Sequence, residues 1–452
     1  MPTFDPVAHP LTVERSPWLR GRLAVAGDRT ISRLALICGA MARGESVVEG
    51  LRETPGVLAI ADMLQLLGAR IDKRAGRWHV MGLGTGGFLE PEADLGFGNA
   101  AASLELAVGL AGIYGFPSRL VGGDWLSAQP LRHLQQPLAA LGIHVLEGDL
   151  EGLPLTLRGP RLAVPPIYEI AAATPRLKGT MLLAGLSIRG TTEISEPATT
   201  PDQVERLLLA FGAHIESFTD GNGRHTVALD GLPALRAQRV AVPGDPTLAA
   251  FAVVAALIVP GSDVVVEAVS VTPHGSQWLA ALLQMGADIE LQGQRGDVAD
   301  LHVRHASLTG ITIAAAGAGL SAPEYAALMV AASFASGTTR LTGLQRLPPA
   351  DRHRLLAMAQ GLQAAGITCR ADEDLEIEGA GAVTGGLHIA VGADPWAALG
   401  LLVLGMAAAS PVTIDDGAAL EDHFPGFVGG LEAIGASFTS PPDMAGRNEV
   451  AQ

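Results

Sequence analysis

The stretch GDRTISRL, Gly27 to Leu34, sets two guanidinium groups, Arg29 and Arg33, and two hydroxyls, Thr30 and Ser32, just ahead of a helical-looking run, ALICGAMA. Free backbone N–H groups and the dipole at a helix start favour an anion. The segment therefore reads as a seat for a carboxylate or another single anion, with Thr30 facing a hydroxyl of the ligand. Other chemistry-like motifs carry less. GLGTGG holds a formal G-x-G-x-x-G at Gly82, Gly84 and Gly87, but no helix follows in a βαβ unit, so it reads as a turn. HVRH, His302 to His305, lies on a strand-like run whose alternation points its two histidines to opposite faces, which argues against a shared metal. Cys38 and Cys369 stand in apolar contexts without metal spacing and read as buried free thiols of a reducing cytosol. Neither metal nor cofactor is expected.

Elements that could position such groups follow from the pattern of the whole chain. Its 452 residues are 48% apolar and only 17% charged, enough to fill large cores. The net charge of −16, with scattered arginines, excludes nucleic acid as a partner. The longest apolar run, LAAFAVVAALIV from Leu248, is too short to span a bilayer, and the N-terminus lacks a secretory pattern, so no membrane association and a cytoplasmic location are expected. A Leu-rich helix end, a glycine and a β-like run recur as LQLLGARI, LAALGIHV, LLAFGAHI, LLQMGADI, LQAAGITC and LEAIGASF. Their glycines, at 68, 142, 212, 286, 366 and 435, are 69 to 80 residues apart, which divides the chain into six copies of one helix–strand–helix–strand unit. The first helix of each copy opens on a polar or Gly/Pro segment. Packed about pseudo-threefold axes, these six helix starts would converge.

Six such copies, together with GDRTISR, GLGTGGFLEPEADLGFGNAA, VPGDPTLAAF and SPVTIDDGAALEDHFPGF, resemble the 5-enolpyruvylshikimate-3-phosphate synthase family of enolpyruvyl transferases over nearly the whole chain. The resemblance implies an α/β fold of two inside-out barrel domains, each of three repeated units. The expected domains are 23–242 and 1–22 plus 243–452, with a ligand cleft between them. It also implies a reaction in which phosphoenolpyruvate joins a hydroxyl of shikimate 3-phosphate by addition, followed by elimination of phosphate.

Carried over residue by residue, the resemblance implies a substrate site of Arg29, Thr30, Arg33, Asn99, Thr174, Arg176, Arg354, Asp394 and Trp396, with Glu324 and Asp351 as acid–base groups. Several family positions are changed. Cations of the family fall at Leu34, Gln129, Pro201, Ala350 and Trp396, and only Arg29 and Arg354 stay cationic. Pro323 replaces an aspartate, and Arg29, which cannot exchange a proton at neutral pH, replaces a lysine. A charge-assisted hydrogen bond contributes roughly 1.5–3 kcal/mol, so five losses remove on the order of 10 kcal/mol, more than the roughly 8 kcal/mol of a micromolar complex. The expectation drawn from this is that the standard activity is lost. Three functions stand open here: elimination, dehydration or modified transfer on a shikimate-like cyclic hydroxy acid; carboxyvinyl transfer with relocated cations; or non-catalytic binding of a metabolite or partner. His353 reads as a solvated helix residue, with a catalytic group as the alternative. Trp396 reads equally as core packing or as a wall for a planar ligand. The oligomeric state stays open.

Overall fold

The computed structural model describes residues 9–171, 175–273, 275–315, 319–392 and 394–439. The chain divides into a central unit, Gly27–Val242, and a split unit made of the segment up to Ala26 and the segment from Pro243 onward. The strand Arg20–Ala24 belongs to the split unit because it pairs in parallel with Asp263–Ser270.

Six helices form the cores: α1 (Arg29–Met41), α2 (Ala101–Gly112) and α3 (Pro175–Gly185) in the central unit, and α4 (Pro246–Ile258), α5 (Ala322–Phe334) and α6 (Pro395–Gly405) in the split unit. Of these, α4 and α6 are apolar nearly all round because they are buried nearly all round. In α4 every residue from Leu248 on is at most 4% exposed. The run LAAFAVVAALIV is therefore a core helix, and no helix among the described residues is long and apolar enough to cross a membrane. Small residues let the helices approach closely. A methyl group on Gly109 of α2 would lie 2.1 Å from the carbonyl oxygen of Thr180 in α3.

Around these helices the described residues form six four-stranded sheets of one topology. In one of them Arg239–Ala241 runs parallel to Arg43–Glu49, which pairs antiparallel with Arg77–Leu83, itself antiparallel to Arg70–Arg74. Each repeat thus holds more strand than the helix–strand–helix–strand reading contains, the addition being a hairpin partner and a short parallel strand. All six repeat glycines have positive φ, from 68° at Gly142 to 112° at Gly435, where they end a helix before a strand. Leu11–Glu14 completes the last sheet between Val412–Ile414 and Ser437–Thr439. Helices inside and sheets outside make the inside-out α/β arrangement.

Candidate active site

At the start of α1 the Asp28 carboxylate is the helix cap. Its Oδ1 accepts the N–H groups of Thr30 at 2.7 Å and Ile31 at 2.9 Å. This corrects the reading of that helix start as free for a ligand, because a carboxylate of the chain already occupies two of its donors. The same device recurs in the split unit. Asp245 Oδ1 caps α4 through Thr247 N–H at 2.9 Å, and Asp394 Oδ1 caps α6 through Trp396 N–H at 2.9 Å. Helix dipoles at these starts are met by internal carboxylates, which leaves side-chain cations to attract an anion.

Those cations gather in the central unit. Arg33 points toward the start of the helix Pro55–Leu66, where a methyl on Gly56 would lie 3.9 Å from its Nη1 and 3.1 Å from Ser103 Oγ of α2. Its Nε is buried and makes no hydrogen bond among the described residues. Burial first, then the positive charges of Arg29 and Arg176, lower its pKa to about 10, with Asp28 opposing. Three guanidinium groups therefore share one neighbourhood. Arg176 Nη1 also lies 3.4 Å from Glu105 Oε1, and His133 Nε2 lies 3.5 Å from the same oxygen. Leu34, at a family cation position, is core at 1% exposure. Asn99 is exposed, and its Oδ1 accepts the Leu126 N–H at 3.2 Å, tying the loop before α2 to the short helix Asp124–Ser127. Thr174 lies outside the described residues. Lys178 is fully buried between Glu196, at 3.1 Å, and Glu205, at 2.7 Å, and holds the interior together.

The split unit contributes two groups of side chains. Glu324, only 7% exposed, accepts the Ser321 N–H at 2.7 Å and the Ser321 hydroxyl at 2.9 Å, which closes a capping box on α5. Burial pushes its carboxyl up to about 7, the Ser321 bonds oppose that, and the Asp245 charge adds to it. Asp351 sits in the first turn of the helix Pro349–Ala364. Further along that helix Arg354 Nε lies 3.5 Å from Asp394 Oδ2, so the aspartate that caps α6 also fixes the arginine. Both line a cavity of about 700 Å³ with Trp396, His353, His388 and His423. His353 is exposed, as its charged neighbours suggested. Trp396 packs near parallel to Phe251, with centroids 5.9 Å apart, and edge-on to Phe424 at 4.6 Å.

Sequence reasoning missed Glu105, His133, His388 and His423. Glu105 left one signal, a lone acid within the apolar run AASLELAVGL.

The buried helix triads and their wrapping sheets define the enolpyruvyl transferase fold. The family model for EPSP synthase (3-phosphoshikimate 1-carboxyvinyltransferase) matches residues 13–431, and the chain belongs to that family. A Methylobacterium radiotolerans protein named 3-phosphoshikimate 1-carboxyvinyltransferase is 43% identical over 444 residues, 96% of this chain and 99% of its own length. A Chelativorans protein of the same name is 41% identical over 95% of this chain and 97% of its own. The solved EPSP synthase of Acinetobacter baumannii superposes with a TM-score of 0.87 at 30% identity, over 96% of this chain and all of that one. These relatives overturn the expectation that the standard activity is lost, and with it the elimination or dehydration of a shikimate-like acid. That expectation counted cations at fixed sequence positions. Arg33 and Arg176 are absent from that count, and Arg33 feels the charges of both Arg29 and Arg176.

Proposed function

We propose that this chain transfers the carboxyvinyl group of phosphoenolpyruvate to a ring hydroxyl of shikimate 3-phosphate and releases phosphate. The observation that carries this reading is 41–43% identity, across 95–96% of the chain, to proteins named for that transfer. The hydroxyl oxygen bonds to C2 of phosphoenolpyruvate and gives up its proton, while C3 gains one. C3 then loses a proton, the C2–O bond to phosphate breaks, and the double bond returns, so protons and charge balance without an oxidant.

Arg29, Arg33 and Arg176 supply the charge that a phosphoryl group requires. Thr30, Asn99 and Thr174 are the neutral polar groups for ring hydroxyls. Arg354, oriented by Asp394, takes a carboxylate beside Trp396. Glu324 titrates at about 7 and so exchanges a proton near neutral pH, with Asp351 as the second carboxyl. We assign the protein to the cytoplasm, a reading supported by its two buried free thiols.

The test is phosphate release from the full chain with both substrates at millimolar concentration. Expected is turnover that requires both compounds, in the roughly 1–10³ s⁻¹ range of ordinary enzymes. Release no faster than the enzyme-free blank overturns the assignment.

A further inference from the structure

Among the groups gathered in the central unit, Glu105 has no part in the transfer described above. It is the one carboxylate of α2 and is only 7% exposed. Its side chain accepts no hydrogen bond among the described residues and meets two basic groups, Oε1 lying 3.4 Å from Arg176 Nη1 and 3.5 Å from His133 Nε2. A buried carboxylate depends on such partners, because little water is left to offset its charge. Arg176 is the complement. Its side chain is 56% exposed, makes no hydrogen bond among the described residues, and has Glu105 as its ion-pair partner there. An arginine that exposed, left free, samples many rotamers, and ordering it on binding costs affinity. The backbone fixes the pair as well. The Thr180 hydroxyl of α3 donates to the Glu105 carbonyl at 2.9 Å and reaches the Arg176 carbonyl at 3.0 Å, next to the close approach of Gly109 to Thr180. One hydroxyl thus sets the register that brings this acid of α2 opposite this arginine of α3. The split unit holds the same construction, Arg354 with Asp394 behind it.

We propose that Glu105 is a positioning residue, which holds the Arg176 guanidinium by one nitrogen and leaves its remaining N–H groups for an incoming phosphoryl oxygen. The planar fork is then anchored before the ligand arrives, and the phosphoryl group meets an ordered cation in the neighbourhood of Arg33. This rests on the reading of Arg176 as a phosphoryl-binding group. Glu105 carries a charge of its own, which repels that phosphoryl group, so the sign of the effect of removing it separates positioning from bare electrostatics.

Isothermal titration of the full chain with shikimate 3-phosphate tests it, on the parent, Glu105→Gln, Arg176→Gln and the double variant. Glu105→Gln is nearly isosteric and is expected to weaken binding about three- to tenfold, the factor that ordering one long side chain on binding costs. In the Arg176→Gln background the same change has no guanidinium to misplace, and binding is expected to stay equal or tighten. Side-chain NMR of the Arg176 Nε–H group in the ligand-free protein gives a second reading, with a lower order parameter in Glu105→Gln than in the parent. Binding by Glu105→Gln that is equal to or tighter than the parent's, the same weakening in both backgrounds, or an Arg176 order parameter that Glu105→Gln leaves unchanged each overturn the proposal. A parent that binds no shikimate 3-phosphate, while Glu105→Gln still lowers the order of Arg176, supports the hold of Glu105 on the arginine and overturns instead the phosphoryl reading of the site.

Discussion

Replacing Glu324 with Gln isolates what burying that carboxyl does to the split unit. The folded pKa of about 7 lies above the ordinary 4.5 of a glutamate side chain, so between these two the native state holds a proton that the unfolded chain has released. Stability then falls as pH rises through that window and levels off above it. The gap of 2.5 between the two values corresponds to about 3 kcal/mol in total, at 1.36 kcal/mol per pKa unit. Gln keeps an oxygen to accept from the Ser321 N–H and hydroxyl, carries no charge, and is nearly the shape of the protonated acid. Near pH 4.5 the variant and the parent should therefore unfold at similar urea concentrations. At pH 8 the variant should be the more stable by up to about 3 kcal/mol, since the parent alone must then hold an ionised carboxylate beside Asp245. Urea titrations of both proteins at the two pH values, followed by hydrogen exchange of α5 amides, read this directly. A difference between the proteins that is the same at both pH values would refute the assignment of the shift to Glu324.

Arg33→Met removes one of three neighbouring positive charges, so the ligand-free protein should melt higher than the parent, while inorganic phosphate should raise the parent's melting temperature more than the variant's; equal phosphate shifts would count against a shared anion seat. Lys178→Met strands Glu196 and Glu205 without their cation and should cost about 3–5 kcal/mol in urea unfolding, and a loss below about 1 kcal/mol would mean the triad is not electrostatically coupled. Gly109→Ala forces α2 and α3 apart and should destabilise the central unit by about 1–3 kcal/mol, checked by the denaturation midpoint. Cys38 and Cys369, their thiols pushed by burial up to about 12 and about 11, should resist a thiol reagent at pH 8 in the native protein and react once it is unfolded.

The glycines at 68, 142, 212, 286, 366 and 435 made the fold readable, because one helix-ending conformation recurs in each repeat and glycine adopts it with least strain. The third strand of a repeat, such as Arg77–Leu83, escaped notice because it follows a tight two-residue turn at Ala75 and Gly76 and carries little periodicity of its own. Two local signals were present and read differently. Asp28 ahead of RTI is a cap signature, and Ser321 with Glu324 has capping-box spacing, so both carboxyls hold backbone before they hold anything else. The surroundings of Arg33 were out of reach, since Gly56, Ser103 and Arg176 come from three separate stretches of chain. The loss of the family cation at Leu34 was legible in the sequence, whereas the neighbours of Arg33 beside it are a property of the packed helices alone.

The pairing of Leu11–Glu14 with Val412–Ile414 and Ser437–Thr439 sets an order on the ribosome. The central unit closes its last sheet with Arg239–Ala241, so every strand it needs has been made once that segment emerges. The split unit holds its opening strands, Leu11–Glu14 and Arg20–Ala24, without lasting partners until later segments appear: Asp263–Ser270 for the second, and Ser437–Thr439, more than four hundred residues further on, for the first. At about 5–20 residues per second, the longer wait lasts on the order of 20–85 s. During vectorial synthesis the nascent chain thus carries a finished unit ahead of an open β edge, and a chaperone that shields the first twenty-five or so residues would act on the interval when the protein is most exposed to mispairing.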